Sequence, residues 1–127
     1  MTEGSEQLAL RLAALADDKK AEEIVALDMR ELVSYTDLLV ICTARNERQA
    51  KAITDEVKLQ LKREEQLLPS GVEGDGPAGW VVLDYLDCVL HVFTPDARER
   101  YRLEELWREA PRLELGHSPG KARAASA

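Results

Sequence analysis

The order of apolar and polar residues along the chain predicts an alternation of helices and strands. Leucines at helical spacing between residues 6 and 16, with Ser5 placed as N-cap, predict a first amphipathic helix. The stretch 22–29 is short and apolar at its centre, which is typical of a strand. The stretch 36–44 has almost no polar interruption, so it predicts a strand buried on both faces.

The second half of the chain continues this pattern. Residues 46–65 form the clearest helix, because apolar side chains recur along one face, and Asn46 with Gln49 makes a capping box. Residues 67–79 are rich in glycine and proline, which predicts a loop with at most a brief extended piece at its start. Residues 79–93 read as two strands around a tight turn, that is, a hairpin.

A last helix follows the hairpin. Thr94 is placed to cap it, Pro95 suits its first turn, and the helix is expected to end before Pro111. The order α-β-β-α-β-β-α predicts a single-domain α/β sandwich with a mixed sheet of four or five strands. We expect the domain to occupy residues 1–111 and residues 112–127 to form a flexible tail.

A turn at residues 86 and 87 would divide the hairpin side chains between two faces, because side chains alternate along a strand. One face is apolar and is expected to pack on helices: Val81, Leu83, Tyr85, Cys88, Leu90 and Val92. The other face mixes aromatic, aliphatic, charged and imidazole groups: Trp80, Val82, Asp84, Val89, His91 and Phe93. Such a face is either covered by a helix or a second copy of the chain, or it docks a partner.

The composition of the chain favours some classes of binding partner over others. The formal charge of −7 would repel a phosphate backbone, which disfavours direct nucleic-acid binding and favours a basic protein partner. The two cysteines form no CxxC pair, and no apolar run approaches the ~20 residues of a membrane span. The amino terminus resembles no signal peptide. We therefore expect a soluble, cytoplasmic protein with no membrane partner.

Catalytic and metal chemistry fit the sequence poorly. There is no G-x-S-x-G elbow and no glycine-rich phosphate loop. His91 stands alone, since His117 lies in the predicted tail. Asp84 and Asp87 are three residues apart with no Gly-Ser turn before them, unlike the carboxylate pair of a nucleotidyltransferase. No catalytic residue, metal or cofactor is predicted.

Several segments together resemble the Iojap or ribosomal silencing factor family. They are "DKKAEEIVALDM" (18–29), "YTDLLVICTARNERQAKAI" (35–53), "GVEGDGPAGWVVLDYLDCVLHVF" (71–93) and "RERYRLEELWREA" (98–110). The combination W-x-x-x-D, H-V-F and L-E-x-L-W carries most of the resemblance. Many relatives have glycine where this chain has Leu86, which leaves the type of turn at 84–88 open.

The resemblance implies both a fold and a function. The fold is a nucleotidyltransferase-like sandwich without the catalytic motif. The function is non-enzymatic: binding the large ribosomal subunit at its protein fourteen, a basic protein at the subunit interface, and hindering association with the small subunit so that translation is repressed. A large-subunit assembly factor and a nucleotide-binding transferase remain alternatives, and a homodimer away from the ribosome is left open.

The predicted docking residues lie on the mixed face of the hairpin and in its turn. Trp80 is the expected anchor, with Val82 and Val89 beside it. Asp84 and Asp87 are expected to meet arginine or lysine of a basic partner, and His91 to orient its neighbours or be buried at the edge. Tyr101, Glu104 and Trp107 match the motif of the last helix and are interpreted as scaffold.

Overall fold

A computed structural model describes residues 2–75 and 79–115 of the 127-residue chain. The elements in chain order are α1 (Thr2–Asp18), β1 (Glu22–Asp28), β2 (Leu38–Thr43), α2 (Glu47–Glu65), β3 (Gly71–Asp75), β4 (Trp80–Asp84), β5 (Cys88–Phe93), α3 (Pro95–Tyr101) and α4 (Leu103–Leu106). None of the described helices has the length and apolar content that crossing a membrane would require.

The strands form one mixed sheet of five strands in the order β1-β2-β5-β4-β3. Only the central pair β2 and β5 is parallel among the strand pairs of the described residues. All six residues of β2 are buried, as the uninterrupted apolar run predicts. The predicted α/β sandwich with a mixed sheet is confirmed.

The two faces of the sheet are covered unequally. Helices α1 and α2 pack on one face and build a large cluster that includes Leu12, Ile53 and Leu90. The opposite face carries a smaller cluster, to which α3 contributes Ala97 and β5 contributes Phe93. Since α3 and α4 are short, they cover this second face only in part.

Helix α1 begins earlier than predicted, and Ser5 is not its N-cap. Ser5 lies in the first turns of the helix and is 1% exposed. Its hydroxyl donates to the Asp37 carboxylate at 2.5 Å, and its carbonyl accepts from the Cys88 thiol at 3.2 Å. The prediction failed because a serine near a helix start caps the helix only if the chain leaves the helix there.

Helix α2 has the predicted N-cap, since the Asn46 side chain accepts from the Gln49 backbone N–H at 2.9 Å. The reciprocal half of the capping box is shifted by one residue: Gln49 Oε1 accepts from the Arg45 N–H at 2.6 Å. Gln49 Nε2 donates to the carbonyls of Lys19 and Lys20 at 3.0 and 3.1 Å. Gln49 thus ties the start of α2 to the end of α1.

The prediction of a loop over 67–79 is wrong in its centre, where β3 forms the edge strand beside β4. Gly74, with a φ of 78°, lies opposite Val81. A Cβ at Gly74 would come within 1.9 Å of the Trp80 carbonyl oxygen. The glycine that favours a loop by composition is therefore what lets this strand approach β4.

The predicted last helix is broken at Arg102, which adopts a φ of 50°. Tyr101 and Leu103 are two residues apart, so an unbroken helix would turn them roughly 200° away from each other. With the break, Tyr101 contacts Trp80 while Leu103 packs on the second cluster. Thr94 stands at the N-cap position of α3 but makes no side-chain cap bond.

A guanidinium clamp holds this broken segment on the sheet. Arg98 Nε and Nη2 donate to the Glu104 carboxylate at 3.0 and 2.6 Å. Its Nη1 donates to the Glu23 carbonyl at 2.6 Å and to the Thr43 hydroxyl at 2.8 Å. Arg98 therefore joins α3 and α4 to the edge strand β1 and its neighbour β2.

The chain after α4 returns to the outer edge of β1. The Asp28 N–H donates to the Pro111 carbonyl at 2.7 Å, and the Leu113 N–H donates to the Ala26 carbonyl at 2.8 Å. Leu115 is only 5% exposed. The first four residues of the predicted tail, 112–115, thus lie against the folded domain, and 116–127 lie outside the described residues.

Candidate docking face

The hairpin has the predicted register. Trp80 pairs with Phe93, Val82 with His91 and Asp84 with Val89, and the Tyr85 N–H donates to the Cys88 carbonyl at 2.9 Å. Directly paired residues lie on the same side of a sheet. The predicted partition into two faces is therefore confirmed. We call the second of them the mixed face: Trp80, Val82, Asp84, Val89, His91 and Phe93.

Aromatic rings gather at one end of the mixed face. The ring of Trp80 stacks on Phe93 with centroids 5.0 Å apart and lies 4.4 Å from the ring of Tyr101. Phe93 is 1% exposed, whereas Tyr101 is 42% exposed. Trp80 itself is half-buried. The cluster thus has a buried base and an accessible upper layer.

His91 contacts Trp80 through a hydrogen bond. The indole Nε1–H donates to His91 Nδ1 at 3.0 Å, and the two ring centroids are 5.9 Å apart. Burial lowers the pKa of His91 to about 4, although the nearby Asp84 carboxylate acts in the opposite direction. The imidazole is therefore neutral near neutral pH, with Nδ1 as acceptor and the proton on Nε2.

The predicted docking residues differ in how accessible they are. Val89 is 8% exposed and belongs to the second cluster beneath the face. Trp80, Val82 and Asp84 are half-buried, so part of each reaches the surface. Asp87 is exposed in the turn. The short helices α3 and α4 thus cover one half of the mixed face and leave the half around β4 accessible.

Two accessible residues beside this face were not predicted as docking residues. The ring of Tyr101 extends the aromatic cluster, although its motif position indicated scaffold. Glu73, on the strand that the sequence analysis interpreted as loop, pairs with Val82 and is exposed. The sequence does indicate that Tyr101 could lie apart from the last helix, because Tyr101 and Leu103 cannot share one face of an unbroken helix. No clear signal in "GVEGD" pointed to the second.

The turn at 84–88 is defined by local hydrogen bonds. The Leu86 N–H donates to Asp84 Oδ1 at 2.8 Å, and the Asp87 N–H donates to the Tyr85 carbonyl at 2.8 Å. Leu86 adopts a φ of 71°, contrary to the expectation that leucine resists this conformation, and its side chain is 61% exposed. An i→i+2 hydrogen bond across a residue with this φ is the pattern of a γ-turn, so the turn type left open by the sequence is a γ-turn centred on Leu86.

The same turn is fixed to the chain that precedes β2. The Asp87 carbonyl accepts hydrogen bonds from the N–H groups of Asp37 and Leu38, at 2.9 and 3.1 Å. The Thr36 hydroxyl donates to the same oxygen at 3.0 Å. Because the backbone of Asp87 is held by three donors, its exposed carboxylate projects from a rigid support.

Neither a metal-binding cluster nor a reactive cysteine lies at this face among the described residues. Among the described residues, no group of three His, Cys, Asp or Glu side chains is arranged to hold a metal ion. Cys42 and Cys88 are both buried, and burial raises the pKa of each thiol to about 12. Buried thiols of this kind are poor nucleophiles. What the face offers is an aromatic surface with carboxylates at its rim.

Comparison with known proteins assigns the chain to a family. The family model described as ribosomal silencing factor during starvation matches residues 2–127. The chain belongs to the ribosomal silencing factor family. A relative within the family, ribosomal silencing factor RsfS of Halalkalibacterium halodurans, is 43% identical over 112 residues, which cover 87% of this chain and 95% of the relative. The resemblance inferred from the motifs is confirmed.

Solved structures and more distant relatives agree with this assignment. A crystal structure of a Bacillus halodurans protein superposes with a TM-score of 0.71 at 40% identity, covering 85% of this chain and 98% of that one. A mouse protein named mitochondrial assembly of ribosomal large subunit protein 1 is 27% identical over 100 residues, which cover 76% of this chain and 43% of the mouse protein. The names of these relatives thus refer to ribosomal silencing and to assembly of the large ribosomal subunit.

Proposed function

We propose that this protein is a cytoplasmic, non-enzymatic silencing factor that binds the large ribosomal subunit through the accessible half of the mixed face. While bound, it prevents the small subunit from joining and so represses translation. Membership of the ribosomal silencing factor family supports the ribosome as partner. The observation that carries the proposal is the half-buried, aromatic, acid-rimmed surface around Trp80, which the described chain leaves open.

Trp80 is the anchor of this surface. It is supported from below by Phe93 and from the side by Tyr101, so the ring is held in place before the partner arrives. A preformed aromatic anchor loses little conformational entropy on binding. Tryptophan and tyrosine are also the residue types most enriched among those that dominate binding energy.

Carboxylates at the rim select the kind of partner. Glu73 on β3 lies opposite Val82, Asp84 lies four residues along β4 from Trp80, and Asp87 is exposed in the turn at the far end of the hairpin. Together with the net charge of −7, they attract a basic protein and repel bare phosphate. Protein fourteen of the large subunit, a basic protein at the subunit interface, fits this requirement.

The mechanism is occupation of a surface. The protein needs no reaction, metal or cofactor to act, because a body of this size seated at the subunit interface excludes the small subunit sterically. One bound molecule then silences one large subunit, so repression follows the fraction of large subunits that are occupied.

The test compares two truncations on opposite sides of the molecule. Trp80→Ala should weaken binding to isolated large subunits by at least ~30-fold, which corresponds to about 2 kcal/mol. The matched control is Leu59→Ala, which removes a side chain that is 47% exposed on α2, the helix packed on the opposite face of the sheet. It should bind as the wild type does.

The same test needs a check on folding. Trp80→Ala also loses the ring contacts with Phe93, Tyr101 and His91 and the hydrogen bond to His91, so it should lower the free energy of unfolding by about 2–3 kcal/mol. Binding is therefore measured at a temperature where circular dichroism shows the variant to be folded. Equal binding by folded Trp80→Ala and wild type would contradict the proposed face.

A second candidate function is assembly of the large subunit, which the name of the mouse relative favours. The two functions predict different positions in a sedimentation profile. A silencing factor remains with mature free large subunits, whereas an assembly factor sediments with immature precursors and leaves the mature particle.

A further inference from the structure

The indole N–H of Trp80 is already used inside the molecule. It donates to His91 Nδ1 at 3.0 Å, across the paired strands β4 and β5. A single N–H has one hydrogen to give, so this donor is not free for a partner while the bond is intact. What Trp80 presents outward is therefore ring carbon.

His91 is a rigid support for this bond. It lies on β5, which is hydrogen-bonded on one side to β2 and on the other to β4. Its direct neighbours are Ile41 and Val82, and its ring lies 6.1 Å from that of Phe93. An imidazole packed among these side chains has little freedom to rotate.

We propose that His91 is the positioning residue of the docking face: by accepting the indole N–H, it fixes the orientation of Trp80, so that the partner meets the ring carbons and not the polar edge. The proposal rests on the proposed function and specifies the contact chemistry. The partner group over Trp80 is then apolar or cationic, such as the stem or guanidinium of an arginine, and not a hydrogen-bond acceptor.

Neutral His91 is required for this role, because a protonated imidazole has no acceptor nitrogen. The low pKa that burial gives His91 keeps it neutral across the physiological range. Among the side chains that the structure describes, the charged groups on β4 and β3 are the carboxylates of Asp84 and Glu73, and α3 contributes the Tyr101 hydroxyl on this side. None of them offers a competing acceptor bond to the Trp80 indole among the bonds of the described residues.

The experiment is a double-mutant cycle between the donor and the acceptor. Trp80→Phe keeps an aromatic ring and removes the N–H, and His91→Leu removes the acceptor. Each single variant should weaken binding to large subunits by about 5- to 10-fold, the net effect of one hydrogen bond. If the two substitutions act by breaking the same hydrogen bond, the double variant should have the affinity of whichever single variant binds more weakly, and no lower.

A rescue variant separates positioning from simple packing. In His91→Asn, the Oδ1 atom stands near the position of Nδ1 and accepts the same N–H, although the side chain is smaller. We expect binding by this variant to approach the wild-type level. In nitrogen-edited NMR spectra, the Trp80 indole proton should keep its hydrogen-bonded shift in His91→Asn and lose it in His91→Leu.

The outcomes distinguish this proposal from the proposed function. Additive losses in the cycle, or an unchanged indole resonance in His91→Leu, would overturn the positioning role while leaving docking intact. A loss in Trp80→Phe with none in His91→Leu would mean that the N–H is donated to the partner, which also overturns it. If the wild-type protein itself does not bind large subunits, the proposed function fails and the docking part of this proposal fails with it.

Discussion

Truncating Leu90 should destabilise the fold without harming the docking face. Leu90 on β5 is fully buried between Leu83 on β4 and Val40 on β2, which are also fully buried, and it points to the side covered by α1 and α2. Leu90→Ala removes three carbon atoms, a transfer loss of about 2.4 kcal/mol at ~0.8 kcal/mol for each methylene. The cavity left behind raises the expected cost to about 3–4 kcal/mol.

Thermal unfolding and ribosome binding are measured on the same preparations of this variant. For a domain of this size, 1 kcal/mol corresponds to roughly 3–5 °C, so the melting temperature should fall by about 10 °C or more. Below that temperature, binding to large subunits should equal that of the wild type, because the mixed face lies on the other side of the strand. Leu83→Ala should behave alike.

Two results would refute this reasoning. A melting temperature within about 2 °C of the wild type would mean that Leu90 does not lie in a packed core. A folded Leu90→Ala variant that no longer binds would mean that docking uses the face assigned to the core. A useful control is Val82→Ala on the half-buried side of the hairpin, which should cost less than 1.5 kcal/mol of stability, at the low end of the range for such truncations.

Three further perturbations test the rim, the turn and the half-buried imidazole of His91. Asp84→Asn keeps the bond to the Leu86 N–H but removes the charge, so large-subunit binding should weaken by on the order of 1 kcal/mol and depend less on salt, while Asp55→Asn on α2 should have no effect. Leu86→Gly should raise the free energy of unfolding by up to about 1 kcal/mol, because glycine adopts the φ of 71° without strain. A clear decrease in that free energy would mean that the Leu86 side chain makes an important contact. Since the pKa of His91 is lowered to about 4, the unfolded chain binds the proton more readily than the folded one between about pH 6.5 and pH 4. Stability should therefore fall as pH decreases through that window, by up to about 3 kcal/mol, and His91→Leu should lose this part of the pH dependence.

The hairpin was predictable because its constraints are local. Strand alternation fixes which side chains share a face, and a two-residue turn fixes the register, so the sequence predicts that Trp80, Val82 and His91 lie together. The fully buried strand β2 was predictable for a similar reason, since only a strand covered on both sides tolerates an uninterrupted apolar run.

The features that the sequence did not predict depend on contacts between distant segments. Strand β3 exists because the edge of β4 accepts a partner and Gly74 permits the close approach. The break at Arg102 is supported by the clamp that Arg98 makes with β1, β2 and α4. The Ser5 hydroxyl donates a hydrogen bond to Asp37, which lies thirty-two residues away in the sequence. Local propensity carries no information about such pairings.

The bond between Trp80 and His91 was also beyond sequence reasoning. The face partition places the two residues on the same side, but it does not state which ring nitrogen accepts or how buried the imidazole is. Those facts follow from the direct neighbours of His91 on the two flanking strands.

Subunit joining in the presence of the purified protein tests the central claim most directly. Isolated large subunits are first incubated with increasing amounts of the protein, small subunits are then added, and the yield of joined ribosomes is measured by sedimentation. The account predicts a yield that falls in proportion to the fraction of large subunits occupied, with Trp80→Ala requiring a much higher concentration for the same effect. Normal joining while the large subunits are saturated with bound protein would contradict it.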